Sequence, residues 1–146
     1  MKVTKSTGGA STSKNKSKML APPEVKEITK DQWERYDMEK KGALRVYDGG
    51  DGIYDFFVNV DNGHLLAEIS SINDSEQIEM IKSQYKIGIS LIGLATLHHY
   101  LGTEKEDDIE DLDMSKVVYD TTKIISPIFL PMIKSVGELS LDTTKA

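Results

Sequence analysis

Between residues 44 and 61 apolar side chains fall on alternate positions: Leu44 and Val46, then Tyr54, Phe56, Val58 and Val60. A period of two puts them on one face of an extended chain, so the pattern predicts two β-strands. Asp48-Gly49-Gly50-Asp51-Gly52 lies between them and supplies the positive φ angles of a hairpin loop. Phe57 interrupts the polar face, which is therefore expected to be covered at mid-strand and wet near Asn59 and Asp61. Asn and Asp are poor strand residues. Asn59, Asp61 and Asn62, next to Gly63, form a polar cluster expected to bond neighbouring amides and turn the chain out of the sheet. Asn62-Gly63 or Asp61-Asn62 could take the left-handed conformation there.

The period then changes to 3.6. Asn73-Asp74-Ser75 offers N-caps and Gly102 a left-handed stop, so a helix is predicted from Ser75 to Leu101. Ile78, Ile81, Tyr85, Ile89 and Ile92 make one stripe on it. From Ile87 a second stripe is read on the opposite side: Ile87, Leu91, Leu94, Leu97 and Leu101. Two opposed stripes require two sets of apolar neighbours. The second is assigned to a protein partner through Gly88, Leu91, Leu94, Ala95, Leu97 and Leu101, with Gly88 and Ala95 permitting close approach of another backbone. A second long helix is predicted from Met114 to Leu139, with Val117, Val118, Ile124, Ile125, Ile128, Phe129, Met132 and Val136 on one broad face. Pro127 and Pro131 should kink or split it, and Ser140 to Ala146 should fray.

Ahead of the hairpin, Ala21-Pro22-Pro23 marks the start of the fold. Thr29-Lys30-Asp31-Gln32 reads as a capping box for a short helix, and Trp33, the single tryptophan, reads as a packing anchor. The predicted fold is α+β: a β-hairpin, alone or within a small antiparallel sheet, packed on two long antiparallel helices. The expected organisation is a disordered basic tail over residues 1–21, one domain over 22–139 and a frayed end over 140–146.

Charge sharpens this division. The chain of 146 residues carries a net charge of -6, but residues 1–19 hold Lys2, Lys5, Lys14, Lys16 and Lys18 and no acid. The other 13 basic residues face all 24 acidic ones. The tail is almost free of apolar side chains, so it cannot offset the entropy of ordering itself. Any nucleic-acid binding through it is expected to be weak and salt-sensitive, because it has no aromatic side chain to stack on a base. The chain has no cysteine, which excludes disulfides and thiolate metal sites and leaves zinc only His64, His98, His99 and carboxylates. No apolar run is long enough to span a bilayer. A cytoplasmic protein without cofactors is the expectation.

Candidate chemistry is sparse. The Asp48 to Gly52 loop lacks the ligand spacing of an EF-hand and reads as a turn. A hydrolase built on Asp55, Asn59, Asp61 and His64 lacks a nucleophile-base pair. His98 and His99 project about 100° apart on a helix and do not share a metal easily. The acidic run from Thr103 to Asp113 reads as a solvated connection whose last carboxylates suit the next helix N-terminus.

Tyr54-Asp55-Phe56-Phe57-Val58-Asn59-Val60-Asp61-Asn62, with Trp33, Glu68 and Tyr85-Lys86 running into Gly88, resembles a segment C-terminal to the ATP-binding module in some ATPases of the gyrase, histidine-kinase and MutL type. The likeness covers about Val25 to Leu101. The nucleotide site itself is absent, so the resemblance implies an accessory region that serves assembly or transmits nucleotide state. The expected function is a non-enzymatic assembly or regulatory module, as a homo-oligomer or docked on a larger ATPase subunit. The alternative is a small ligand- or nucleic-acid-binding regulator that uses the lysine tail.

Overall fold

The computed structural model describes residues 23–50, 52–102 and 113–145, with side chains placed as far as 137. The basic tail and most of the acidic connection lie outside the described residues. Three strands, β1 (Glu24–Ile28), β2 (Leu44–Gly50) and β3 (Ile53–Asn59), and three helices, α1 (Gly63–Ile69), α2 (Ser75–Leu101) and α3 (Met114–Lys145), make an α+β fold. A single 3-10 turn over Lys30–Gln32 follows β1, its entry held by the Thr29 amide donating to Gln32 Oε1 at 2.9 Å.

β2 and β3 form the predicted hairpin, with Leu44 opposite Val58 and Val46 opposite Phe56. Gly50 and Gly52 take φ of +94° and +76° in its loop, and the Gly50 amide donates to Asp48 Oδ1 at 2.8 Å. The sheet is mixed rather than antiparallel. β1 pairs parallel to β3 with Val25 opposite Phe56, so the strand order is β1-β3-β2 and β3 is central. The parity of this register puts Val25, Leu44, Val46, Phe56 and Val58 on the face that meets the helices.

Phe57 on the other face is covered, as expected. Tyr36 stacks on it at 4.5 Å between centroids, Tyr47 meets it edge-on at 5.7 Å, and Ile28, Met38 and Tyr119 complete the cluster. Asp37 holds this cover in place. It sits at φ 52°, tolerable for Asp, and its carbonyl and carboxylate accept Arg45 Nε at 2.8 Å and Nη2 at 3.0 Å. The Arg45 guanidinium in turn lies 3.8 Å from the centroid of the Tyr119 ring, tying β2 to α3.

α2 begins and ends where the capping residues predicted, with Asp74 accepting the Glu76 amide at 3.0 Å. Gly102 closes it in the right-handed region, φ -71°, because its amide bonds back to the His98 and Tyr100 carbonyls. The Asp113 carboxylate accepts the Lys116 amide at 3.3 Å at the start of α3. α3 is not split at Pro127 or Pro131 and runs on to Lys145, past the expected end. Both prolines are exposed, so water can take the carbonyls they leave without a donor. On the buried side, Thr122 and Ser126 return their hydroxyls to the Val118 and Thr122 carbonyls at 2.8 and 2.7 Å, which lets two polar residues sit in the core.

Two glycines in α2 set the packing distances. A Cβ on Gly93 would lie 2.3 Å from Leu44 Cδ2, and one on Gly88 would lie 2.0 Å from Phe129 Cζ. Helix α2 therefore approaches the sheet at Gly93 and α3 at Gly88. Because Gly93 is also near Val118 while Gly88 meets Phe129, the two helices run antiparallel.

Candidate interaction surface

The polar cluster at the end of β3 is an internal fastening. The Asn59 side chain is fully buried rather than wet, which corrects the expectation for that end of the strand. Its Nδ2 donates to the carbonyls of Glu39 at 3.1 Å and Gly42 at 2.9 Å. Its Oδ1 accepts Trp33 Nε1 at 2.9 Å and the Asp61 amide at 3.1 Å. Asn62 is also fully buried. Its Nδ2 reaches the Lys41 and Gly42 carbonyls at 3.3 and 2.8 Å, and its Oδ1 caps α1 by accepting the amides of His64 at 2.9 Å and Leu65 at 3.0 Å. Neither residue is left-handed; Asn62 starts a helix instead of a turn. Asp61 Oδ2 accepts the Lys30 amide at 2.7 Å.

A primary amide offers two donors and two acceptor positions. In Asn59 and Asn62 all four are used within the chain, so neither side chain has a bond to offer a ligand. Trp33 is the packing anchor expected of it. Tyr85 completes the fastening from α2, its hydroxyl donating to the Asn59 carbonyl at 2.9 Å.

Burial of Tyr85 drives its phenol far above the ordinary tyrosine pKa of 10.0. Tyr119 is raised as well, by burial and then by the nearby Glu39 carboxylate. A raised acid pKa in the fold means that stability is intact below the unfolded tyrosine's pKa and is lost as pH climbs past it. We expect the urea midpoint to hold near neutral pH and fall steeply above about pH 10. Tyr85→Phe should cost about 1 kcal/mol at pH 7 and reduce the alkaline fall, leaving the part due to Tyr119 and to Tyr54, which burial also raises.

The leucine stripe of α2 does not form one outward face. Leu97 is fully buried in the core, and Leu94 and Leu101 are half-buried against it. The spacing explains this. Ten residues at 100° each end 80° short of a whole number of turns, so the series from Ile87 to Leu97 drifts from the outer side onto the core side. Gly88 does permit a close approach, but the neighbour is the Phe129 ring of the same chain. Ala95, Ile87 and Leu91 remain exposed, the last two at 61% and 60%.

α3 supplies the rest of the surface. Ile124, Ile128, Met132 and Val136 recur every four residues and are all more than half exposed. Gly88 and Phe129 face one another, so they give a common reference for the two antiparallel helices. One residue later in each, Ile89 and Leu130, is fully buried; one residue earlier, Ile87 and Ile128, is exposed. Both exposed stripes therefore turn to the same outward side of the helix pair, away from the sheet. Among the described residues ten large apolar side chains are exposed, and seven of them, adding Met80, lie on these two helices. Sequence periodicity had placed Val117, Val118, Ile124, Ile125, Ile128, Phe129, Met132 and Val136 together on one broad face. The four-residue repeat from Ile124 to Val136, offset from the buried Thr122, Ser126 and Leu130, was the available signal that they divide.

Beside this face, Pro23, Val25, Ile87, Leu91 and Leu94 line a groove of about 240 Å³ between β1 and α2. Gln84 Oε1, one turn before Gly88, is buried without a hydrogen-bond partner. A mixed-charge hollow near the end of β3 contains Glu27, Asp61, Lys82 and Lys86, with Lys86 paired to Glu27 at 3.1 Å. No group of three or more His, Asp or Glu among the described residues could hold a metal. No helix among the described residues is long and apolar enough to cross a membrane. No family model, curated protein or solved structure matches the chain.

Proposed function

We propose that the protein is a non-enzymatic assembly module that associates through the outer face of α2 and α3. The observation that carries this reading is the concentration of exposed apolar side chains on that one side: Ile87 and Leu91 from α2, and Ile124, Ile128, Met132 and Val136 from α3. The seven exposed side chains, Met80 included, leave on the order of 700 Å² in water, against the ~300–600 Å² of the largest patch on a typical monomer. The saturated Asn59 and Asn62 amides support the same reading, because the most distinctive polar residues of the chain serve its own fold. An accessory role beside a larger ATPase of the gyrase, histidine-kinase and MutL type rests on the sequence likeness of the β3 segment.

The test separates surface from core on a single helix. Leu97→Glu should abolish folding, since a buried unpaired carboxylate costs several kcal/mol. Leu91→Glu should leave the circular-dichroism spectrum and thermal midpoint close to wild type while removing association, measured by sedimentation velocity of the protein with whatever it binds. A folded Leu91→Glu protein whose association is unchanged would reject this face.

A further inference from the structure

We infer that the occupant of the outer face is a second copy of this chain, which lays its α2-α3 pair across the same pair to make a two-fold, four-helix interface. This rests on the assembly reading above and adds the partner's identity. The first support is area. The exposed apolar side chains present on the order of 700 Å², close to the ~800 Å² that each partner contributes to a stable interface of standard size.

The second support is charge. The stripes Ile87-Leu91 and Ile124-Ile128-Met132-Val136 contain no ionisable group, although charged residues make up 29% of the chain. A chain of net charge -6 repels its own copy unless the meeting surfaces are neutral, whereas a strongly basic partner would be matched by acids on the contact face. The ionisable side chain that lines the groove with Ile87 and Leu91 is Lys86, and it is paired with Glu27 at 3.1 Å. Charged residues of α3 stand instead at its flanks and pair within the protomer, as Lys123 does with Glu39 at 2.7 Å and Lys116 with Asp120 at 2.6 Å.

The third support is symmetry. A closed dimer needs a patch that is complementary to itself under a two-fold rotation. Two antiparallel helices with apolar outer stripes meet that need, because a rotation about an axis perpendicular to the pair returns an antiparallel pair and forms an ordinary four-helix packing. Ile128 precedes Phe129, whose ring packs against Gly88 of α2. It therefore lies near the middle of the patch, where a two-fold axis brings a residue next to its own counterpart.

The experiment uses the full chain and exploits its lack of cysteine. Light scattering after size exclusion should give about twice 16.3 kDa for the wild type, and Ile128→Glu should give a monomer with wild-type circular dichroism. Ile128→Cys should form a covalent dimer under mild oxidation, whereas Ile53→Cys, also exposed but at the hairpin end of β3, should not. A dimer that survives Ile128→Glu and is not cross-linked through Ile128→Cys overturns the inference by placing the interface elsewhere. A wild-type monomer that binds another protein, with binding lost in Ile128→Glu, also overturns it but preserves the assembly reading. A wild-type monomer with no partner and no response to Ile128→Glu removes both.

Discussion

Replacing Asn59 by Leu should destabilise the protein by about 3–5 kcal/mol, a large share of the ~5–15 kcal/mol available to a domain. Leucine keeps the branched skeleton of asparagine but carries bulkier methyl groups, so overpacking at this buried site adds to the loss of the hydrogen bonds. Asn59 ties the Trp33 indole and the carbonyls of the Glu39–Gly42 turn to the end of β3, where it also accepts the Asp61 amide. Gly42 keeps its bond from Asn62 and the Glu39 carbonyl keeps the Gly42 amide at 3.0 Å, but the indole and the Asp61 amide lose theirs. Each orphaned group costs about 1–3 kcal/mol where water cannot reach it, and partial access for the indole keeps the sum below the maximum. Asn59→Asp should also be severe, because a carboxylate retains the two acceptor contacts but sets negative charge against two carbonyl oxygens. Urea unfolding followed by Trp33 fluorescence reads both variants, since Trp33 is the only tryptophan and one of the lost partners. An unchanged midpoint for Asn59→Leu would mean that the cluster is not what joins the sheet to its loops.

Gly93→Val should cost about 2–3 kcal/mol for a different reason. The new Cβ would fall 2.3 Å from Leu44 Cδ2, with Phe56 and Val118 at 3.4 and 3.5 Å. Leu44, Phe56 and Val118 are fully buried and have no free volume to retreat into. Gly88→Ala should be milder despite its closer clash. There the obstacle is the far end of the half-buried Phe129 ring, which can swing outward, and replacing helical glycine recovers about 1 kcal/mol. Gly137→Ala provides the control. Nothing lies within 4 Å of its Cβ position, so it should stabilise α3 by up to about 1 kcal/mol. Thermal midpoints that move the same way for Gly93→Val and Gly137→Ala would show that helix propensity, not packing against the sheet, governs Gly93.

Local chemistry specifies much of the β3 segment. The β3 segment was read as a strand ending in a polar exit, and the structure has both. Asn62, however, looked like a turn residue because Asn-Gly usually is one, and it instead caps α1. What decided this was the Gly42 carbonyl, some twenty residues back, which holds the Asn62 amide at 2.8 Å and aims its oxygen at the next turn. Thr122 and Ser126 are polar residues whose hydroxyls bond within their own helix, so they sit in the core.

The elements themselves were set by local chemistry in the sequence. Alternation and the glycine loop specify the hairpin, and Asp74 with Gly102 delimit α2, because φ restrictions, capping bonds and side-chain periodicity act over a few residues. Tertiary structure alone decided which apolar positions became core. Glu24–Ile28 has no local signal for its partner, and its parallel pairing with β3 arises only when the long intervening segment has folded. Likewise, whether Leu97 faced a partner or the sheet, and whether Ile128 faced the core or solvent, depended on the rotation of α2 and α3 about their own axes. That rotation is set by Gly93 against Leu44 and Gly88 against Phe129, contacts between residues far apart in the chain. Helical periodicity assigns residues to stripes, but only packing selects which stripe is buried.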